Sequence, residues 1–298
     1  MPRRYRPRHA AVSHRTRRRG SLLRVLGILL LLLVLAYPFA ETRLLQVEYT
    51  SVTCSDLPSD VSRLRIVYVS DIHEGFFYSQ SEVDSLVRKI NSLNADLVLL
   101  GGDYATDSDS AITFFENLPS ISARYAVYAV LGEDDRSLPE SNLPLLKTAM
   151  SRKSITPLVN SVESVRIGSG STIYIAGIDD VTNGSPDIAS VAGSVKESDF
   201  VILMCHNPSA ITSILQQSSS DGHRSWFDLG LFGHTHGGQI LPLSSLMPST
   251  SGVQSSYVSG WTTANRIPLL ISHGVGTSTV PIRLFCRPQI HVITVTSS

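Results

Sequence analysis

At 298 residues, with 42% hydrophobic side chains and 25 basic against 25 acidic residues, the chain is formally neutral. Nine arginines (positions 3, 4, 6, 8, 15, 17, 18, 19 and 24) fall in the first 24 residues, where there is no acid. The 258 residues from Glu41 onward keep 16 basic against 25 acidic side chains, about nine units negative, which argues against nucleic acid as a partner and leaves ample length to bury a core without disulfides.

In chain order, residues 1–21 form an arginine-rich arm. An uncharged run from Val25 to Ala40 follows, with Ile28 to Leu33 as its apolar heart. Taken as residues 22–40, the run is about long enough for a bilayer, with Arg24 able to snorkel at its edge. Arginines before the span place the N-terminus in the cytoplasm and the rest of a single-pass membrane protein outside. An uncleaved signal anchor is expected; a cleaved signal peptide is the alternative, although Pro38-Phe39-Ala40 matches a small-x-small cleavage site poorly. Arg17-Arg18-Arg19 is also compatible with twin-arginine export, but Ser21 stands where a large apolar residue is expected. The arm itself suits anionic lipid head groups. Residues 41–63 read as a lead-in to one domain over residues 64–298.

Within that domain, five short apolar runs each end in metal-type ligands. Leu64 to Val69 leads to Asp71 and His73, and Leu97 to Leu100 leads to Gly102-Asp103. Ala126 to Leu131 leads to Glu133-Asp134-Asp135, Phe200 to Met204 to Cys205-His206, and Leu229 to Phe232 to Gly233-His234-Thr235-His236. Runs of this length and composition are buried strands, and open α/β sheets bind ligands beyond the carboxyl ends of their strands. The two imidazoles of His234-Thr235-His236 would project to one side of extended backbone. Val83, Leu86, Val87, Ile90 and Leu93 mark an amphipathic helix over Ser81 to Leu93, and Ala111, Phe114, Phe115 and Leu118 a shorter one. Further helices are expected within Leu143 to Met150 and Pro208 to Gln216. Strands alternating with helices predict a mainly parallel sheet in one mixed α/β domain. Thr172 to Ile178 is another strand, Leu241 to Gly260 a long loop, and Leu269 to Ser272, Ile282 to Phe285 and Ile290 to Val295 read as terminal strands.

Asp71-x-His73, Gly102-Asp103, the Gly132 segment, His206 and Gly233-His234-x-His236 occur in an order that resembles the calcineurin-like metallophosphoesterases, over nearly everything from Leu64 onward. Cys205-His206-Asn207-Pro208, Gly237-Gly238-Gln239 and Pro281-Ile282-Arg283 look closest to a membrane-associated bacterial branch that includes phosphodiesterases and UDP-2,3-diacylglucosamine pyrophosphatases. The resemblance implies a four-layer α-β-β-α sandwich of mixed sheets carrying two divalent metals. Asp71, His73 and His236 would complete one metal site, His206, His234 and Glu133 the other, with Asp103 bridging. Mixed imidazole and carboxylate ligation suits Mn, Fe or Zn. A phosphodiester or pyrophosphate bond, in a phosphate-containing small molecule or a lipid, would be cleaved by metal-activated water. No protein partner is implied.

The chain departs from the family at Gly132-Glu133-Asp134-Asp135, where Gly-Asn-His-Asp/Glu is usual. Glu133 replaces a neutral ligand with an anionic one, and Asp134 replaces the histidine that assists the leaving group. Two readings stay open: an enzyme with Asp134 as a replacement acid, or a weak or inactive metal-binding envelope module. Asp134 and Asp135 also fit a solvated acidic turn helped by Arg136. Phe76, Phe77 and Tyr78 fit either a greasy rim or a sheet cover, and Asp179-Asp180 either a crevice wall or a turn cap. His273 and Arg283 are candidate phosphate contacts. Cys54 and Cys286 either form one bridge, with Cys205 packed inside, or all three cysteines are free thiols.

Overall fold

The computed structural model describes residues 14–137 and 139–297, with side chains from residue 23 onward; the first thirteen residues of the arginine arm lie outside the described residues. In chain order, α1 (His14–Glu41) leads to β1 (Gln46–Thr53), β2 (Leu64–Val69), α2 (Gln80–Ser92), β3 (Leu97–Leu100), α3 (Ser108–Asn117) and β4 (Ala126–Ala129). Then come α4 (Asn142–Arg152), β5 (Ile155–Pro157), β6 (Ser161–Ile167), β7 (Ser171–Gly177), α5 (Ile188–Ala192) and β8 (Val201–Met204). The last elements are α6 (Ile211–Ile214), β9 (Leu229–Phe232), β10 (Gly260–Ala264), β11 (Ile267–Ile271) and β12 (Gln289–Thr296).

The strands form two six-stranded mixed sheets, ordered β1-β12-β2-β3-β4-β5 and β10-β11-β9-β8-β7-β6. Alternation along each strand sends side chains to two different cores. Ile66, Tyr68, Leu97 and Leu99 point inward to meet Ile175, Ile202, Met204 and Leu231 of the second sheet. Val67, Val69, Val98 and Leu100 point outward against Val83, Leu86, Phe114 and Leu146 of helices α2, α3 and α4. On the far side, Val201, Leu203 and Phe232 pack under α5, α6 and Trp226. Strands buried on both faces need to be apolar throughout, which is why they stood out as unbroken runs. Four layers result, α-β-β-α.

Local chemistry fixes the helix starts. Ser79 and Glu82 form a capping box on α2, with the Ser79 N–H donating to Glu82 Oε2 at 2.8 Å. Asp107 accepts the Ser110 N–H at 2.8 Å to start α3. In α1, Leu23–Glu41 is long and apolar enough to cross a membrane, and its apolar side chains from Leu23 to Leu35 are exposed, while Glu41 at its end is buried.

Several expectations need correcting. The lead-in contains β1, an edge strand pairing in parallel with β12 from Gln46↔Gln289 to Thr53↔Thr296. Ile282 to Phe285 is not a strand; it touches the sheet region through a single bridge between Ile240 and Leu284. Its backbone is bent instead, with Phe285 at φ 56°, so that the Arg283 side chain turns inward. The Leu241 to Gly260 loop contains three 3-10 turns, Leu241–Leu246, Pro248–Thr250 and Ser255–Tyr257. The expected fourth helix is a 3-10 turn at Pro208–Ala210 followed by the single turn of α6.

All three cysteines are buried and free, and Cys54 does not pair with Cys286. Cys54 follows the end of β1, whereas Cys286 precedes the start of β12, which runs in the same direction. Eight residues of strand separate those ends, roughly 25 Å at about 3.3 Å per residue. A disulfide requires Cα atoms within about 7 Å.

Candidate metal centre

The carboxyl ends of β2, β3, β4, β8 and β9 meet at one edge of the sandwich, and each chain leaves its strand through a sharp turn. Asp71, His73, Asp103, His234 and His236 all hold positive φ, between 46° and 68°. Non-glycine residues avoid this region, and its concentration here marks a site whose surroundings over-determine the backbone. Neighbouring glycines give the turns room. Gly102 sits at φ 96°, and a Cβ there would come within 2.7 Å of His206 Nδ1.

These turns bring two ligand groups together, Asp103, Glu133, His206 and His234 in one and Asp71, His73 and His236 in the other, and a third grouping of His73, Asp103 and Asp134 overlaps both. Asp103 lies between them, its Oδ2 3.2 Å from His206 Nε2 and 3.7 Å from His73 Nε2. Glu133 Oε2 lies 3.1 Å from His206 Nε2 and 2.8 Å from His234 Nδ1. The Nε2 atoms of His73 and His236 face each other at 3.0 Å. His234 and His236 thus diverge into different groups, contrary to the expectation of extended backbone with both rings on one side. The left-handed turn at each residue separates them.

The outer nitrogens are held by other partners, which orients the rings. His206 Nδ1 donates to the Gly101 carbonyl at 2.7 Å. His73 Nδ1 lies 3.2 Å from Asp134 Oδ2. Asp71 Oδ1 accepts the His234 N–H at 2.8 Å. Asp135 is buried and is no solvated turn residue: its carboxylate accepts the N–H groups of Asp103 (2.7 Å), Gly132 (2.9 Å) and Tyr104 (3.0 Å). It clamps the turn after β3 to the turn after β4, a role the sequence reading missed. A buried carboxylate at helix-like N–H spacing gives no distinct signal within an acidic run.

Electrostatics favour a cation at this edge. Burial alone would push the His73 imidazole down, but Asp134, Asp103 and Asp71 outweigh it and raise it to about 9. Burial opposes the charged form of Glu133 too, yet the His206 and His234 rings hold its carboxyl well below the usual range. His206 Nε2 and Asp71 Oδ2, both buried, have no hydrogen-bond partner. His206 Nε2 is within 3.2 Å of two carboxylates without hydrogen-bond geometry. Such an arrangement leaves lone pairs aimed at a common point, which fits a shared divalent cation better than direct pairing.

A cavity of about 240 Å³ opens onto these groups, lined by His73, Asp103, Glu133, Asp134, His234 and His236 together with Pro248, Ser249, Ser278 and Thr279. Neither His273 nor Arg283 lines it. Arg283 is fully buried behind His236, with Nη2 3.3 Å from His236 Nδ1 and donating to the carbonyls of His273 and Gly276 at 2.7 and 2.6 Å. His273 Nε2 pairs with Ser259 Oγ at 2.6 Å. Asp179 is a partner of Arg136 at 3.0 Å, and Asp180 accepts the N–H groups of Thr182 and Asn183, so this pair builds a turn. Phe76 is 94% exposed and Phe77 half-exposed, whereas Tyr78 is buried.

A family model described as Calcineurin-like phosphoesterase matches residues 64–238. The chain belongs to this family. Its members are hydrolases of phosphoric esters, and this chain is a metallophosphoesterase with a candidate membrane-crossing helix. Among its relatives, the uncharacterized metallophosphoesterase YkuE of Bacillus subtilis (strain 168) is 24% identical over 87% of this chain and 88% of its own length. YpbG of the same organism is 31% identical over 78% of this chain and 80% of its own. A bovine (Bos taurus) transmembrane protein with metallophosphoesterase domain is 29% identical over 78% of this chain, which spans 53% of that protein.

Proposed function

We propose that this metallophosphoesterase is a membrane-tethered enzyme that uses two divalent cations to hydrolyse a phosphodiester or pyrophosphate bond. The observation that carries this is the position of Asp103, with one carboxylate oxygen between the imidazoles of two ligand groups. Asp71, His73 and His236 would hold one cation, Glu133, His206 and His234 the other, and Asp103 both. The mixed imidazole and carboxylate set suits Mn, Fe or Zn. When bound, such a pair lowers the pKa of the attacking water and neutralises charge on the phosphoryl oxygens.

The chain's own residues supply orientation. The Gly101 carbonyl fixes the His206 tautomer so that Nε2 faces the carboxylates of Asp103 and Glu133. Asp134 does the same for His73 by placing a carboxylate oxygen 3.2 Å from Nδ1, which makes it a positioning residue. Asp135 keeps Asp103 and Gly132 at fixed separation through backbone N–H groups. A second reading has Asp134 as a replacement acid for the leaving group, favoured by its place on the cavity wall. A third has the domain as a weakly active metal-binding module, favoured by the extra carboxylates of Glu133 and Asp134 at a site that must accept an anion.

The experiment is hydrolysis of bis(4-nitrophenyl) phosphate by the full chain in detergent, reconstituted with Mn, with His234→Ala as control. Metal-dependent turnover that the control lacks is the expected result. Two bound Mn per chain without turnover refutes the enzymatic reading in favour of the binding module.

A further inference from the structure

We propose that the metal-bearing end of the domain is a bilayer-docking face, held flat on the leaflet that α1 leaves, so that the cavity draws phosphate from membrane-borne esters. This rests on the phosphohydrolase reading for the substrate, but the docking itself stands on separate observations.

The first is topological. β1 starts at Gln46 beside Gln289, and β12 runs antiparallel to β2, with His291 opposite Tyr68. The start of β1 therefore lies at the same edge as the carboxyl end of β2, where Asp71 and His73 sit. Helix α1 meets the domain at its metal-bearing end.

The second is a latch that fixes this junction. Glu41, the last residue of α1, is fully buried, and its carboxylate accepts the N–H groups of Phe285 (3.0 Å) and Cys286 (2.7 Å). The Pro38 carbonyl accepts the Arg283 N–H at 3.0 Å. On the other flank, Arg43 pairs with Glu82, and Thr42, Arg43 and Leu45 line one hollow with Tyr78. The end of α1 is thus bound to the 283–286 segment, and the residues just after it to α2 through Glu82, which sets the orientation of the domain on the helix.

The third is where exposed apolar residues gather. Phe285 is 65% exposed and Leu246 74%, with Leu241 and Leu243 exposed on the same 3-10 turn as Leu246. Leu241 donates its N–H to the Leu284 carbonyl, which joins these leucines to the latch. Phe76 and Phe77, both exposed, immediately precede Tyr78, which lines that hollow, in the segment after β2. Outside the helix and its adjoining Leu44, the remaining large exposed hydrophobics among the described residues are Tyr49 and Leu145. The opposite end carries a polar hollow of about 660 Å³ lined by Arg63, Arg65 and Arg124. A soluble surface rarely concentrates its exposed apolar side chains at one edge, and one continuous with a membrane-length helix fits a lipid interface. Pro248 and Ser249, just past Leu246, and Ser278 and Thr279, just before the latch, line the metal cavity, so its mouth opens between the apolar segments.

The test uses the full chain in phosphatidylcholine vesicles. Leu246→Cys and, at the far end, Arg124→Cys are labelled with a bimane; the three native thiols are buried. Quenching by doxyl-labelled lipid at position 246 and none at 124 is expected, and equal, weak quenching at both overturns the proposal. In parallel, a double variant, Leu246→Asp with Phe285→Asp, is assayed on a lipid phosphodiester in vesicles and on soluble bis(4-nitrophenyl) phosphate. A loss of about tenfold or more confined to the vesicle substrate is expected, and equal rates of variant and parent on that substrate overturn the proposal. A wild-type chain that hydrolyses neither substrate refutes the enzymatic reading, while the quenching pair still decides the docking.

Discussion

Replacing Asp134 in two ways separates a positioning role from an acid role. Its Oδ2 lies 3.2 Å from His73 Nδ1, and about a third of its side chain is exposed. A hydrogen bond to a partly screened carboxylate is worth about 1–2 kcal/mol, which is a factor of roughly 5–30 in metal affinity at the His73 site. Asp134→Asn keeps an oxygen that accepts from Nδ1, so metal affinity and kcat stay within a few-fold of the parent. Asp134→Ala removes the acceptor, and a loss of metal affinity of about 5–30-fold is expected, with turnover partly recovered at high Mn concentration. The assay is Mn titration by calorimetry on both variants, alongside kcat and KM at saturating Mn. A general acid would give another pattern: Asn as damaging as Ala, with kcat down about 10²–10⁴-fold and metal affinity unchanged. That result would refute the positioning argument.

Asp135→Ala leaves three buried N–H groups without an acceptor, at about 1–3 kcal/mol each, so urea denaturation should show a loss of about 3–9 kcal/mol, and Asp135→Asn a smaller one. A change below about 1 kcal/mol would mean the turns hold without the clamp. Glu133→Gln removes one negative charge from the cavity; Mn binding should weaken while KM for an anionic phosphodiester falls by about tenfold, and an unchanged KM would show that Glu133 is fully neutralised. Burial, with nearby His273, holds His291 down to about 3. Its folded value thus lies below the unfolded value of about 6.5, so stability is complete above that pH and declines as the pH falls towards the folded value. Between pH 7 and 5 the loss from this residue should be about 2 kcal/mol by urea denaturation, and His291→Gln should remove that part of the slope. Chelation should lower the melting temperature, because cations at 100 times their dissociation constant contribute about 2.7 kcal/mol to the folded state; no shift would mean the ligands are satisfied without metal.

The strands that carry the candidate ligands were legible because burial on both faces leaves an unbroken apolar run, as at Leu97–Leu100 and Leu229–Phe232. The amphipathic α2 was legible for the same kind of reason, its capping box and 3.6-residue spacing agreeing. Strands at the margins left no such mark. β1 exposes one face and alternates weakly, and β6 carries Glu163 and Arg166 towards solvent, so both passed as connecting segments. The candidate ligands could be named from their residue types and order, yet not their directions. His234 and His236 take opposite groups through left-handed turns, a conformation that sequence periodicity does not encode.

The residues behind the site were the least legible, and Arg283 shows why. A lone arginine near the C-terminus of a phosphoesterase reads as a phosphate contact, since guanidinium is the usual partner of phosphate. Its actual neighbours are main-chain carbonyls at Gly276, His273 and Cys286, which any sequence supplies and none announces. Glu41 is the same case in reverse. At the end of an apolar helix, a carboxylate reads as the boundary of a membrane span, but two N–H groups more than 240 positions away take it into the interior. Both residues bear on the 283–286 segment, Glu41 reaching it from the end of α1 and Arg283 leaving it towards His236. The helix and the candidate ligand His236 are therefore joined through one short stretch of backbone, and this is a contact that only the folded chain creates.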